Sequence, residues 1–304
     1  MFWLADGAEW HDAPPMKTKR NNDVIRRLLA TLALLGLAAE SRAATPVPAD
    51  AVVARIAHVS DTHVNRSTNA DQRRYRGHLE QVIAQVNAAK VDFVVITGDL
   101  TENGSPEELA DFRDQIQGFH ARVFSVPGNH DLGNKVLPGK KTELTPFRVA
   151  RFEMRQGPAT FVRECAGVRI IGVNSPICGS GFAHEKKMWR FLEKELGHPS
   201  AKPTVVFLHY PPFLKTADEG GGDYWNIEPE PRRRLLALLK QGGVRTVLSG
   251  HLHRDLLNRH DGILYVTTRP VSFGLPKGKQ PEGWTLVTLR REGEALVEAQ
   301  TIKN

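Results

Sequence analysis

The chain has 304 residues, of which 40% are hydrophobic and 25% are charged, and its formal net charge at pH 7 is +7. This composition excludes a disordered or fibrous chain and is typical of a globular protein with a large buried core. The mild positive charge suits anionic ligands, although it is also an ordinary solubility charge. Because no basic and aromatic stripe accompanies it, we expect no nucleic-acid partner.

The N-terminal part of the chain has the pattern of an export signal. Residues 1–15 show no periodicity and precede Met16, so we interpret them as disordered or as an over-long translation start. Residues 16–43 contain a basic segment, then a continuous apolar run, then small residues near Ala43, which is the order of a secretory signal peptide. The apolar run is shorter than the roughly 20 residues that cross a bilayer, so we expect cleavage and no stable membrane anchor. The chain is therefore predicted to be periplasmic or secreted, by the Sec or the twin-arginine route.

Strand-like apolar runs alternate with helical patterns over residues 50–304, which predicts one domain with an α/β layered fold. Ser105 and Glu108 have the spacing of a capping box, with Pro106 at the first helical position. Other helices are predicted at residues 76–90, 185–196 and 230–240. Three more strand-like runs follow the last polar cluster, and we expect them to build a second sheet, at residues 262–267, 284–289 and 295–302.

Two further patterns concern structure rather than chemistry. Cys165 and Cys178 flank a strand-like run, which would extend about 20 Å at roughly 3.3 Å per residue. A disulfide needs Cα atoms within about 7 Å, so we expect two free thiols. Arg232, Arg233 and Arg234 open a predicted helix, and we interpret them as its solvated face.

The candidate site residues follow five of the apolar runs. Each run ends in Asp, Asn or His, and the carboxyl ends of the strands are where open α/β sheets keep their sites. A single D-x-H or H-x-H turn would be a weak indication of a metal site. Gathered at one edge of a sheet, however, two Asp, one Asn and four His are enough to hold two metal ions. The candidate ligands are Asp61, His63, Asp99, Asn129, His209, His251 and His253.

The order of these clusters carries a family resemblance. In chain order they are D-x-H, G-D-x-x-x-x-G, G-N-H-D, a single His after a strand, and G-H-x-H, within residues 52–270. This pattern resembles that of the calcineurin-like metallophosphoesterase superfamily. The resemblance implies an α/β/β/α sandwich of two mixed sheets flanked by helices, with a dinuclear metal site at the strand carboxyl ends. It also implies hydrolysis of phosphoric esters by a hydroxide that bridges two divalent ions, with Mn, Fe or Zn expected.

The resemblance further implies a role for each candidate residue. The ligands form two sets and a bridge: Asp61, His63 and His253 for one metal, Asn129, His209 and His251 for the other, and Asp99 between them. His130 would bind the phosphate or protonate the leaving oxygen, and we expect Asp131 to hold its ring. For both residues, a hydrogen bond that only stabilises the turn stays open as an alternative.

The substrate is less clearly indicated. The chain is similar both to bacterial cyclic-nucleotide and glycerophosphodiester phosphodiesterases and to the subgroup of calcineurin-like phosphoesterase domain-containing protein 1, a protein phosphatase. An exported enzyme suits small phosphoesters better, so the prediction is a phosphodiesterase or a phosphomonoesterase. A phosphoprotein phosphatase and a metal-binding protein without turnover are the alternatives. The oligomeric state is left open.

Two local features concern the surroundings of the site and the type of metal that it would hold. Residues 220–226 are a glycine run followed by aromatics, and they form either a wall of the pocket or a surface loop whose Trp225 packs on the domain. No Tyr occurs in the three positions after Asp99. That departure from the purple acid phosphatases argues against an Fe(III)-tyrosinate enzyme.

Overall fold

The computed structural model describes residues 52–302 of the chain. The predicted start over residues 1–15 and the predicted signal peptide over residues 16–43 lie outside the described residues, so both stay predictions. Within residues 52–302, no helix is both long enough and apolar enough to cross a membrane.

Two mixed β-sheets form the centre of the fold. Over the described residues the strands are β1 (Val52–Val59), β2 (Phe93–Ile96), β3 (Arg122–Ser125), β4 (Phe161–Cys165), β5 (Val168–Val173), β6 (Thr204–Leu208), β7 (Thr246–Ser249), β8 (Leu256–His260), β9 (Ile263–Thr267), β10 (Gly283–Arg290) and β11 (Ala295–Thr301). The first sheet has the order β11-β10-β1-β2-β3, and the second has the order β4-β5-β6-β7-β9-β8. Strands β1, β2 and β3 are parallel to one another, as are β5, β6, β7 and β9.

Helices connect the strands, largely where the sequence predicts them. The helices are α1 (Ala70–Ala89), α2 (Pro106–Gln115), α3 (Asn129–Leu132), α4 (Pro146–Gln156), α5 (Ala183–Leu196) and α6 (Pro229–Gln241), with 3₁₀ turns at Ile116–Gly118 and Ser175–Ile177. The capping box of Ser105 and Glu108 is confirmed at the start of α2. Helix α1 begins at Ala70 rather than at residue 76, because Asn69 caps it through its side chain.

The sheets face each other, and their central strands are buried on both surfaces. In β2, Phe93 and Val95 lie in the core between the sheets, together with Phe207 of β6. The alternate residues Val94 and Ile96 lie in the second core, which contains the buried faces of the helices. This alternation is the period of two that a strand imposes on its side chains. The predicted sandwich of two mixed sheets flanked by helices is confirmed.

The prediction that the last three strands build a second sheet is wrong. Strand β9 pairs in parallel with β7 and so belongs to the second sheet. Strand β10 pairs antiparallel with β1, and β11 pairs with β10, so both complete the first sheet. All three runs are apolar enough for either sheet, and pairing depends on contacts distant in sequence that a local pattern does not contain.

The predictions for the cysteines and the arginines have different outcomes. Cys165 ends β4 and Cys178 follows β5, and both are free thiols, as expected.

Arg233 and Arg234 are exposed, but the interpretation of Arg232 as part of a solvated face is wrong, since its side chain is fully buried. Its guanidinium donates hydrogen bonds to main-chain oxygens of the loop before α6, and this loop carries the aromatics beside the site.

Candidate metal centre

The side chains that follow five strands meet at one edge of the two sheets. Asp61 and His63 follow β1, Asp99 follows β2, and the remaining candidates follow β3, β6 and β7. Strands β1, β2 and β3 are parallel in the first sheet, and β6 and β7 are parallel in the second. The carboxyl ends of the strands in each of these two groups therefore lie at one edge of their sheet. The structure brings all seven candidate ligands together there, and each is at most 5% exposed.

The potential ligand atoms form three overlapping groups, with the atoms of each group within 4.8 Å of one another. One group contains Asp61, His63, Asp99 and His253, a second contains Asp99, His209 and His251, and a third contains His63, Glu102 and His130. Asp99 belongs to the first two groups, since its Oδ2 lies 3.7 Å from His63 Nε2 and 3.3 Å from His209 Nε2. The arrangement fits two cation positions joined by one carboxylate.

The imidazoles have the proton placement that metal binding requires. One ring nitrogen of each candidate histidine faces an oxygen outside the cluster: His63 Nδ1 with Glu102 Oε2 at 2.8 Å, His209 Nδ1 with Thr97 O at 2.8 Å, His253 Nδ1 with Phe273 O at 2.6 Å, and His251 Nε2 with Tyr224 O at 3.2 Å. A carbonyl or carboxylate oxygen only accepts, so these nitrogens carry the protons. The other nitrogen of each ring faces the cluster, which is how metal-ligating histidines are oriented.

Asn129 is oriented in the same way. Its Nδ2 donates to Tyr224 Oη at 2.9 Å and to Asn134 Oδ1 at 3.1 Å. Its Oδ1 is thereby turned inward, 2.9 Å from His209 Nε2. The amide thus offers oxygen, its only ligand atom for a divalent cation, to the group that contains His209 and His251.

The backbone at the site is held in an uncommon conformation. Positive φ angles between 45° and 71° occur at five of the candidate ligands, namely Asp61, His63, Asp99, His251 and His253. A residue other than glycine in this region costs on the order of 1–3 kcal/mol and persists where its surroundings fix it. Here Asp61 N–H donates to Gly98 O and His63 N–H donates to Asp99 O, both at 3.0 Å. The side chains after β1 and β2 are therefore preorganised by hydrogen bonds between the two loops that carry them.

The glycines of two motifs are required by close approach. A Cβ added to Gly128 would lie against the backbone nitrogen and Oδ1 of Asp99. A Cβ added to Gly250 would lie against Ser60 Oγ and 2.8 Å from Asp61 Oδ2. Each glycine therefore lets one motif pack directly on the ligand of another, which explains why Gly precedes Asn129 and His251.

The charges at the site are those of a cation-binding cluster. Burial alone would raise the pKa of Asp99, but the histidines around it, His209 first, hold that pKa well below its usual value. Burial lowers the pKa of His63, and it lowers the pKa of His251 well below the usual value, so these rings are neutral. His209 and His253 differ from these two: burial lowers the pKa of each, but the charge of Asp99 outweighs burial and raises the pKa of His209 to about 9. The charge of Asp61 likewise outweighs burial and raises the pKa of His253.

His130 differs from the candidate ligands in its exposure and in its partners. Its side chain is 33% exposed, its backbone N–H donates to Asp99 Oδ1 at 2.9 Å, and its Nδ1 donates to Glu102 O at 2.8 Å. The expected contact from Asp131 to this ring is wrong. The buried Asp131 carboxylate instead accepts from the backbone N–H groups of Leu100, Thr101 and Gly128, so its place in the structure is that of a turn-stabilising residue.

Two residues beside the cluster are not among the candidate ligands, although Tyr224 lies in the segment predicted to be either a pocket wall or a surface loop. Glu102 contacts both His63 and His130, and it lies in the G-D-x-x-x-x-G segment, which is a signal that could have found it. Tyr224 contacts Asn129 through its hydroxyl and His251 through its main-chain oxygen. Its ring and that of Trp225 pack on His251, with centroids 4.7 Å and 5.7 Å away. The aromatic segment thus forms a wall beside the site.

Comparison with known proteins agrees with the fold and the motifs. The chain is 33% identical over 212 residues to the serine/threonine-protein phosphatase CPPED1 of Danio rerio, and the match covers 64% of this chain and 65% of that protein, just under two thirds of its length. It is 32% identical over 220 residues to a probable glycerophosphodiester phosphodiesterase, GpdQ of Arcobacter nitrofigilis, which covers 70% of this chain and 76% of the relative. A solved dimetal phosphatase from Danio rerio matches over 81% of this chain and 98% of its own, with 13% identity and a TM-score of 0.53, which shows a shared fold.

The family assignment follows from a match over more than half of the chain. The model of the family described as calcineurin-like phosphoesterase matches residues 54–255, which include all seven candidate ligands. The named relatives support the prediction of a metal-dependent phosphoester hydrolase. The chain belongs to the calcineurin-like phosphoesterase family.

Proposed function

We propose that this chain is an exported dinuclear-metal phosphoesterase that hydrolyses phosphodiester or phosphomonoester bonds of small substrates. The observation that carries the proposal is the orientation of the imidazoles, where every candidate histidine donates outward from one ring nitrogen and turns the other ring nitrogen toward the cluster. Two divalent ions of the Mn, Fe or Zn type, held by the seven ligands, would neutralise phosphate oxygens and lower the pKa of a bound water. Asp99 would contribute to both positions.

His130 is the residue proposed to act on the substrate. Its Nδ1 is tied to Glu102 O, while its Nε2 has no hydrogen-bond partner among the described residues. Its pKa is raised because the charges of Asp99 and Glu102 and the bond to Glu102 O outweigh burial, which favours the protonated ring. A protonated imidazole at the mouth of the site binds an anionic phosphate oxygen or gives its proton to the leaving oxygen. Asp131 supports this residue only indirectly, through the turn that positions Asn129 and His130.

Hydrolysis by purified protein tests the proposal. The protein is stripped of metal, refilled with Mn, Zn, Fe, Co or Ni, and assayed with bis(p-nitrophenyl) phosphate and with p-nitrophenyl phosphate. We expect metal-dependent turnover of at least one ester and its loss in Asn129→Ala. Preference for the diester identifies a phosphodiesterase, and preference for the monoester identifies a phosphatase. Two bound metals without turnover of either ester would contradict the proposal and favour a binding protein.

A phosphoprotein phosphatase is the second candidate, because one relative at 33% identity is named as a serine/threonine-protein phosphatase. A phosphoprotein phosphatase must accommodate a polypeptide next to the phosphate, whereas a small-molecule phosphoesterase accommodates only a small organic group. Dephosphorylation of a phosphoserine peptide with kcat/KM well above that for p-nitrophenyl phosphate would favour this candidate. Equal or lower kcat/KM on the peptide would favour small esters.

Export is proposed from residues 16–43, which carry the order of a cleavable signal. Expression of the full chain in a Gram-negative host, followed by fractionation and N-terminal sequencing, tests this part separately. We expect a mature protein in the periplasm that begins near Ala43. A cytosolic protein that still begins at or before Met16 would contradict it.

A further inference from the structure

An apolar pocket lies directly beside the candidate metal centre. It has a volume of about 430 Å³, within the range of roughly 300–1,000 Å³ found for small-molecule sites. Its lining consists of Leu214, Trp225, Leu252, Arg254, Leu275 and Pro276.

Several residues that line the pocket are neighbours of the candidate metal ligands. Leu252 lies between the candidate ligands His251 and His253 in the chain. The N–H of Leu275 donates to His253 O at 2.9 Å, and the Trp225 ring lies 5.7 Å from the ring of His251. A group attached to a phosphate at the metals therefore has this pocket as an adjacent apolar surface.

Buried polar contacts hold the segment that carries Trp225 in place. Lys135, which is 3% exposed, donates to Asn226 O and to Glu228 Oε1. Asn226 is 1% exposed and donates to Glu219, whose main-chain oxygen accepts from the buried Arg232. Burying such groups is costly unless they are paired, so these contacts fix the segment next to Trp225 in one place.

The Trp225 side chain stays partly exposed to solvent in this wall. It is 37% exposed and is one of five large hydrophobic side chains exposed within the described residues. An indole face that is open to solvent beside a polar site is a surface on which a flat ring stacks. Arg254 is exposed and forms no salt bridge with the described residues, so an anionic ester meets an unpaired cation at the same pocket.

We propose that this pocket is the subsite for the organic group of the substrate and that it selects phosphoesters carrying a flat aromatic or heteroaromatic group. The inference rests on the proposed function, because it places the phosphate at the metals. It names the substrate class: aryl or heteroaryl esters in preference to small alkyl esters.

Binding of two phosphonates that differ only in the organic group tests the subsite without turnover. Metal-loaded protein is titrated calorimetrically with methylphosphonate and with phenylphosphonate. We expect phenylphosphonate to bind at least about tenfold more tightly, the scale of discrimination that an apolar pocket provides. In Trp225→Ala and in Leu275→Ala this ratio should fall toward one, with the dissociation constant of methylphosphonate changed less than about twofold. Phe147→Ala, at a 70% exposed aromatic on α4, is the matched control and should keep the wild-type ratio.

The possible outcomes distinguish a failure of the proposed subsite from a failure of the proposed phosphoesterase activity. Equal affinity of wild-type protein for the two phosphonates, or an unchanged ratio in both pocket variants, would overturn the subsite while leaving phosphoester hydrolysis intact. Failure to bind either phosphonate, together with no turnover of any ester, would overturn the proposed function and the subsite with it. Unchanged methylphosphonate binding shows that each variant is folded and loaded.

Discussion

Removal of the Glu102 carboxylate is expected to weaken one metal position and spare the other. Its Oε2 accepts from His63 Nδ1 at 2.8 Å, and its side chain is 21% exposed. A hydrogen bond to a charged group of this kind contributes about 1.5–3 kcal/mol. A partner that orients a metal-ligating histidine typically accounts for about 10–100-fold in metal affinity, which is the same range.

The contacts of Glu102 make the expected effect selective. Its main-chain oxygen, not its carboxylate, accepts from His130 Nδ1, so that contact survives a side-chain change. Glu102→Ala should therefore lower metal affinity about 10–100-fold at the position served by His63, with little change at the position of His209 and His251. Glu102→Gln keeps an accepting oxygen and should lose less.

Calorimetric titration of metal-stripped protein measures both positions in one experiment. Glu164→Ala is a suitable control, because this glutamate pairs with Lys202 at the surface, away from the cluster. Two metal-binding events with wild-type affinity in Glu102→Ala would refute the assignment of this carboxylate to His63. Equal weakening at both positions would show that the change acts through the fold.

Three further outcomes are expected. His130→Ala should lower kcat roughly 100-fold or more on an alkyl ester and much less on a p-nitrophenyl ester, which needs no leaving-group proton; equal losses on both would exclude the acid role. Gly128→Ala should lower the unfolding free energy by about 1–3 kcal/mol, measured by urea denaturation, since its Cβ meets Asp99. Metal uptake at pH 7 should release a proton, because the pKa of His209 is raised to about 9. Metal affinity should therefore rise with pH up to about 9 and level off above it. Calorimetry that detects no proton release would contradict this.

The sequence was sufficient to predict which side chains gather at this edge, because the candidate ligands come from short local patterns. Each strand run ends in its own polar turn, so Asp61, Asp99 and His209 are visible one at a time. The parallel pair β1 and β2 brings Asp61 and Asp99 to one edge, where His209 of the second sheet meets them. Glu102 was missed, and the segment with Tyr224 was left open between a pocket wall and a surface loop, because both roles depend on how loops pack against other motifs. A glutamate or tyrosine in a loop has no spacing rule that points to a distant histidine.

The errors in the fold predictions have a related cause. Strands β9 and β10 are both apolar, and the choice of sheet depends on whether β7 or β1 offers the pairing edge. Arg232 follows Pro231 in a run of charge that is typical of a solvated face, yet a loop folds over it. Local patterns identify the elements and their exposed faces, whereas contacts distant in sequence decide which edge or side chain becomes covered.

The central claim is that this edge of the two sheets holds two metal ions joined by Asp99. A crystal structure of the Mn-loaded protein, with anomalous difference maps recorded near the Mn absorption edge, tests it most directly. We expect two anomalous peaks roughly 3.5–4 Å apart, one beside Asp61, His63 and His253 and the other beside Asn129, His209 and His251, with Asp99 Oδ2 between them. A single peak, or two peaks that do not share Asp99, would contradict the claim.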